Sequence, residues 1–405
     1  MNIPHALVLG LVINMSASMF ADNLIKNSGF NTGPHGQITA WSTSRDVTVQ
    51  TIDGVRTLTV RGRGAAATQT MRIPVSVRRL RIQCRYRSRD VTPDKSAWKT
   101  AKLILLFRDK EGNRIGKPQT ICHARDTSPW KHCSRELDVP QNATAAEVTI
   151  TNLGISGQLE VQQLVVQPVR PLRQDPSGKP VIILKLDDFT RLTPNWRRVV
   201  EFLKEQRLKA GLGIIGGAWE KADPQFVQWC REQLKTGLFE IWNHGYYLRK
   251  AGDKLGEFES DSWVEQKKAL LRTQQLAAEK LGVELRAFGP HWSSTNEATI
   301  KALQQVPQIK MVFFYTRPGY HWFVFKRFMN LEHPTFVPNL EYFRQKYATV
   351  GRTKPYLALQ GHPNAWNGER WENFKKIIAF LRQEGCRFMT PSEYYETYIR
   401  PTISN

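Results

Sequence analysis

The sequence is short of acid, of patterned cysteine and of long apolar runs. Asp and Glu number 36 against 58 Lys and Arg, which gives a formal net charge of +22. A surplus of that size favours a polyanionic partner. No zinc-finger, RRM or basic-zipper pattern accompanies it, which argues against nucleic acid; in a secreted protein the polyanion is an acidic glycan or a cell-surface polymer. The cysteines, Cys84, Cys122, Cys133, Cys230 and Cys386, form an odd set with no CxxC spacing, so neither a zinc ribbon nor a disulfide framework is indicated. Cys122 and Cys133 flank a turn-like Asp126-Thr127-Ser128-Pro129 and read either as facing partners across a hairpin or as buried thiols. Beyond the N-terminus no segment is apolar enough to span a bilayer. The start reads differently: an uncharged apolar run from Ala6 to Met15 is followed by small residues. That matches a signal peptide over 1–21, cut after Ser18 or Ala21, and predicts a secreted or periplasmic protein.

A length of 405 residues exceeds one ordinary domain, and the rhythm changes midway. Residues 22–168 hold short alternating segments such as VRTLTVRG, LRIQCRYRSR and KLILLFRDKEGNRIG, punctuated by Gly, Asn and Asp. Period-2 alternation of this kind predicts an antiparallel β-sandwich, jelly-roll-like. In RRLRIQCRYRSR, Leu80, Ile82, Cys84 and Tyr86 fall on one face, and Arg79, Arg81, Gln83, Arg85, Arg87 and Arg89 on the other. The stretch reads either as a charged edge strand that resists aggregation, or as a ladder in which Arg81, Arg85 and Arg87 bind carboxylates or sulfates of a glycan. Residues 169–180, rich in proline and polar side chains, read as a linker. From 181 to 405 strand-like VIILKLDD, GLGIIGG, LFEIWNH, LRAFGPH, MVFFYT and YLALQGH alternate with helix-like segments. Such alternation implies a parallel sheet or a barrel, and a barrel builds its site at strand C-terminal ends.

Asp187 and Asp188 close the first of these strands. Alone they read as a capping pair at a strand exit. His244 in WNHG, His291 in FGPHWSST and His362 in LQGHPNAW stand at three other strand ends and turn the balance toward a site. Trp242, Trp292 and Trp366 lie beside them, placed either to stack on sugar rings or to pack. His321 reads as structural and His333 as a loop residue.

The strand-end Asp-Asp, the strand-end histidine and the late Leu-x-x-His-Pro, in this order, resemble the polysaccharide deacetylase superfamily over roughly residues 180–397. The most specific parts are LKLDD, Glu-Ile-Trp-Asn-His-Gly and LQGHP. The first half, through NLIKNSGFNTG, FRDKEGNRIGKP, WKHCSRELDVP and GQLEVQQLVV, resembles the carbohydrate-binding sandwich modules of secreted glycan enzymes. The superfamily resemblance implies a deformed (β/α) barrel with a divalent metal at its mouth, zinc being the expected ion. It makes Asp187 the general base, Asp188 and His244 metal ligands, and His362 the general acid. One position departs. The family repeats histidine four residues after the first, and Leu248 stands there. A leucine cannot bind a metal. Either His291 supplies the third ligand, or an acid of the following loop does (Asp253, Glu257 or Glu259), or the metal is held weakly or not at all. The implied function is metal-assisted removal of acetyl groups from a polysaccharide. The alternatives are a noncatalytic glycan-binding protein with a degenerate barrel, and a surface protein anchored by its charge.

Overall fold

The computed structural model describes residues 23–400 apart from Ala97, Arg170, 249–251 and 316–321. The apolar run read as a signal peptide, and His321, lie outside the described residues. The chain divides after residue 170 into two compact units.

The first unit carries β1 (Ser42–Thr43), β2 (Val47–Ile52), β3 (Val55–Arg61), β4 (Ala66–Arg72), β5 (Arg79–Thr92), β6 (Ala101–Arg108), β7 (Arg114–Ala124), β8 (Asp126–Asp138), β9 (Ala145–Asn152) and β10 (Ser156–Pro168). They form two five-stranded antiparallel sheets, ordered β1-β4-β9-β6-β7 and β2-β3-β10-β5-β8. Alternation decides which residues meet. Leu58, Val60, Leu80 and Ile82 of one sheet share an apolar core with Leu103, Leu105, Val148 and Ile150 of the other. None of the five cysteines is in a disulfide. Cys84 lies directly across from Cys133, and Cys133 Sγ donates to the Ile121 carbonyl.

The arginine-rich strand is corrected in one respect. β5 runs between β10 and β8, so it is an interior strand and has no free edge to protect. Its arginines lie on the outer face, among partners supplied by both neighbours. Arg79 meets Asp138 at 2.7 Å and Arg81 meets Glu136 at 2.7 Å. Arg85 donates to Gln162 Oε1 at 2.9 Å. Arg87 and Arg89 share the carboxylate of Glu160, a side chain only 1% exposed. The indole of Trp130 has the guanidinium carbons of Arg85 and Arg87 each 4.6 Å from its centre.

The second unit alternates strands β11 (Val181–Leu186), β12 (Ala210–Ile214), β13 (Phe239–Asn243), β14 (Ala287–Phe288), β15 (Met311–Phe313), β16 (Phe323–Phe325) and β17 (Tyr356–Gly361) with helices. These are α1 (Pro194–Glu205), α2 (Pro224–Lys235), α3 (Trp263–Leu281), α4 (Glu297–Gln304), α5 (Leu340–Thr349), α6 (Glu369–Gln383) and α7 (Pro391–Tyr394). Local chemistry sets the helix starts. Thr193 and Asp223 accept from backbone N–H groups at the N-caps of α1 and α2, each followed by proline, and Asn296 and Asn339 cap α4 and α5. The strands form one parallel sheet ordered β16-β15-β14-β13-β12-β11-β17. Between its two outer strands the Tyr356 hydroxyl of β17 accepts from Lys326 N (2.6 Å) and donates to Val324 O (3.4 Å). The sheet thus curls into a deformed barrel. The segment read as a linker is tied to this unit, since buried Asp175 accepts from Arg387 (2.9 Å) and the Tyr398 hydroxyl (2.7 Å).

All six residues of β11 are buried, as expected of a central parallel strand covered on both faces. One of them is Lys185. Two tryptophans expected beside sugar are core residues instead. Trp242 is 0% exposed, and its indole fills the space left by Gly213, where an added Cβ would fall 2.3 Å from the ring. Trp366 is equally buried, stacked on Phe374 with ring centroids 4.3 Å apart. Neither offers a face to a ligand.

Candidate active site

Parallel pairing brings the C-terminal ends of the strands to one end of the barrel. Leu186 is in register with Gly361 and Leu212, and Asn243 with Ile214 and Phe288. The residues that follow, Asp187 and Asp188, His244, His291 and His362, therefore gather around one opening.

Asp188, His244 and His291 each bring a ligand atom within 4.8 Å of the others. Asp188 Oδ1 is 3.4 Å from His244 Nε2 and 3.4 Å from His291 Nδ1. Asp188 Oδ1 and His291 Nδ1 are buried and have no hydrogen-bond partner. His244 Nδ1 lies 2.6 Å from the Gly289 carbonyl, which can only accept, so Nδ1 carries a proton and Nε2 is the nitrogen turned to the cluster. An imidazole oriented through its other nitrogen is the usual arrangement at metals. Burial would raise the Asp188 pKa, but the two imidazoles outweigh it and hold the carboxyl well below the usual range. Its backbone is left-handed, φ 64°, a strained state that is common where a side chain is aimed for function. One carboxylate oxygen and two imidazole nitrogens, two of the three atoms otherwise unmatched, fit a divalent ion such as zinc.

The loop acids are engaged elsewhere. Glu257 accepts from the backbone N–H groups of Tyr246 and Tyr247, Glu259 caps Gly256 N, and Asp253 accepts from the Tyr247 hydroxyl. Burial pushes Glu257 up to about 7 against those two N–H groups. Leu248 is 45% exposed.

Asp187 is buried and crowded with donors. Lys185 Nζ lies 2.6 Å from each of its oxygens, and Gln360 Nε2 donates to Oδ2 at 2.6 Å. Burial favours the neutral acid, yet Lys185, His244 and His362 outweigh it and keep the carboxyl below its ordinary pKa. Lys185 is shifted down by its own burial, which Asp187 offsets only in part; its ammonium stands 4.5 Å from the Trp242 ring centre. Gln360 in turn accepts from Arg327 at 2.6 Å.

His362 Nε2 faces Asp187 Oδ2 at 3.9 Å. Its Nδ1–H donates to Glu332 Oε2 at 2.6 Å, and its backbone N–H to Oε1 at 2.8 Å. Trp366 Nε1–H also donates to Glu332 Oε1 at 2.7 Å. Burial would lower the His362 pKa, but Glu332 and Asp187 raise it above the ordinary histidine value. Trp292 is 63% exposed, next to His291, and is the one expected tryptophan that stands on the rim.

Lys185, Arg327, Glu332 and Gln360 were not singled out from the sequence. Lys185 carried a readable signal, a charge inside an otherwise apolar strand and two residues before Asp187, hence on the same face. Glu332 carried none, since thirty residues separate it from His362.

A carboxylate and two imidazoles converge at the mouth of the parallel-strand barrel, flanked by a buried aspartate and a histidine–glutamate pair, groups that could hold an ion and move protons beside it. Residues 174–309 match the family described as polysaccharide deacetylase, so this stretch is a polysaccharide deacetylase domain. The match ends before Glu332 and His362. No curated protein matches the chain. Among solved structures, a CE4 family pseudoenzyme from Bacillus anthracis shares 15% identity over 53% of this chain and 65% of that one, just under two thirds of its length, with a TM-score of 0.38. The CE4 domain of a multidomain xylanase from the hindgut metagenome of Trinervitermes trinervoides shares 15% over 54% and 90%, TM-score 0.39. A family 4 acetyl xylan esterase from Clostridium thermocellum, in complex with a cobalt ion, shares 16% over 53% and 90%, TM-score 0.40.

Proposed function

We propose that the chain is a secreted or periplasmic hydrolase that removes acetyl groups from a polysaccharide, its first unit a jelly-roll-like carbohydrate-binding sandwich. The observation that carries this reading is the convergence of the Asp188, His244 and His291 cluster with Asp187 and His362 around one barrel mouth. Asp188, His244 and His291 would hold a divalent metal, with zinc the expected ion. When bound, the metal supplies a Lewis acid for the acetyl carbonyl and an acidified water. The chain's own residues do the rest. Asp187, kept ionised by Lys185, takes the proton of the attacking water. His362, whose pKa is raised by Glu332 and Asp187 against its burial, gives its Nε2 proton to the departing nitrogen or oxygen. Glu332 holds the ring by Nδ1 so that Nε2 faces the reacting atoms. The first unit contributes a cationic face: Arg87 and Arg89 share one carboxylate and Arg85 is held by an amide. That surplus suits an acidic glycan.

Leu248, in the place of the family's second histidine, favours a second reading: a glycan-binding protein whose barrel no longer turns over. Metal analysis paired with acetate release from acetylated glycans separates the two. Asp187→Asn is expected to lower turnover by roughly 10²–10⁴-fold, the range for a lost general base, with metal content retained. Loss of metal in that variant would reassign Asp187 as a ligand; acetate release at the wild-type rate would remove it from catalysis.

A further inference from the structure

Phe336 is an anomaly of the barrel mouth. Its backbone is left-handed, φ 71°, in a region that bulky side chains avoid. The side chain gains little by burial, since it is 47% exposed. What fixes the residue is Glu332: the Phe336 N–H donates to Oε2 at 2.9 Å, the same oxygen that receives the His362 Nδ1–H. The phenyl ring meets the His362 ring edge-on, centroids 4.6 Å apart. The carboxylate that orients the acid thus also holds an aromatic face in solvent beside it.

Direction follows from the imidazole. Nε2 faces Asp187 and Nδ1 faces Glu332, so Phe336 belongs to the side of His362 turned away from the metal cluster. A proton leaving Nε2 goes to the departing atom of the acyl bond, and in a deacetylation the departing group is the sugar itself. Next to Phe336 the surface hollows into a cavity of about 580 Å³, lined by Val337, Asn339, Asn367, Arg370 and Asn373 among others. It lies between the segment that carries Phe336 and the segment that follows His362. Carboxamides, a guanidinium and the carboxylates of Glu341 and Glu369, beside an aromatic face, match what a pyranose presents, hydroxyls around its rim and C–H groups on its face.

Resting on the hydrolase reading above, we propose that Phe336 and this cavity form a glycan subsite beside His362, the residue that meets the departing sugar. Phe336 is the platform for one sugar ring, and Asn367, Arg370 and Asn373 take the hydroxyls of the next. The site therefore selects an acetylated chain over a single acetylated sugar.

The probes are chitobiose and chitopentaose carrying N-acetyl groups, and xylobiose and xylopentaose carrying O-acetyl groups. The wild-type kcat/KM is expected to rise on the order of tenfold from dimer to pentamer of the preferred series. Phe336→Ala and Arg370→Ala should each erase most of that gain, whereas Phe336→Trp, which keeps a ring, should retain it. Calorimetric binding of the pentamers in an Asp187→Asn background reads the subsite without turnover, and Phe336→Ala should weaken it about tenfold. If no acetate is released but pentamer binding still weakens, the hydrolase reading fails and the subsite stands. Chain-length gain and pentamer affinity unchanged in both alanine variants would overturn the subsite, as would an Asp187→Asn chain that binds neither pentamer.

Discussion

On the outer face of β5, Arg79, Arg81, Arg87 and Arg89 each reach a carboxylate. At the barrel mouth Asp188 Oδ1 and His291 Nδ1 are buried and unmatched. The first arrangement pairs most of its charge internally, two of its guanidinium groups sharing one carboxylate, and its exposed pairs are worth a few tenths to about 1 kcal/mol each. The second leaves buried polar atoms without partners, at a cost of about 1–3 kcal/mol apiece. A chain that pairs most of its sheet face yet buries these atoms unmatched keeps at the barrel mouth a set of donors that could hold an ion. The same contrast separates the tryptophans. Trp242 fills a slot that glycine leaves open in the core, while Trp292 stands in solvent.

The largest effect should fall on that second contrast. Trp242→Ala should cost about 3–5 kcal/mol of stability, as for other buried aromatics. Trp292→Ala should stay within about 0.5 kcal/mol. Denaturant titration of both variants checks this, and equal losses would mean that Trp292 is as structural as Trp242.

Next comes the metal cluster itself. His291→Ala should lower metal affinity by on the order of 100-fold or more, since losing even an outer-shell partner costs about 10–100-fold. Leu248→His tests the departure from the family. If it restores affinity in the His291→Ala background, the loop after β13 can still deliver the missing ligand. Unchanged metal content in His291→Ala would remove His291 from the ligand set.

Glu332→Gln removes the group that raises the His362 pKa by hydrogen bond and charge. The acid form should then be lost at lower pH, moving the alkaline limb of the rate profile toward the acid side. The linkage has the same sign. A histidine with a raised folded pKa adds stability that is complete below its unfolded value of about 6.5, and that fades as pH rises through the folded value. Glu332→Gln should therefore lose stability mainly on the acid side. An alkaline limb that does not move would take His362 out of the acid role.

The smallest effect belongs to the sheet face. Arg81→Ser breaks one partly exposed pair and should cost no more than about 1 kcal/mol. Combined with Arg85→Ser and Arg87→Ser it should weaken retention on an acidic glycan column, most visibly at low salt where screening is weak. Retention equal to that of the wild type would confine the arginines to a structural role. Arg87→Ser alone should cost more than Arg81→Ser, because Glu160 is buried and would keep only one guanidinium, Arg89, beside the Gln158 amide.

The sequence by itself determined what local pattern can carry. Period-2 alternation placed the sheets of the first unit, and βα alternation placed the parallel strands of the second. The residues just beyond strand ends, Asp187, Asp188, His244, His291 and His362, were legible because a parallel sheet brings all its C-terminal ends to one side. Tertiary structure alone decided the partners. Thirty residues separate Glu332 from His362 and 173 separate Gln360 from Asp187, and no periodicity spans such gaps. It also decided burial. Trp242 and Trp366 looked like Trp292 in the sequence, yet whether an indole meets sugar or core depends on glycines in neighbouring strands, and β5 was interior because β8 paired along it. Contacts of this kind are made by chain closure in three dimensions, so the pattern along the chain names the residues and the packing assigns their work.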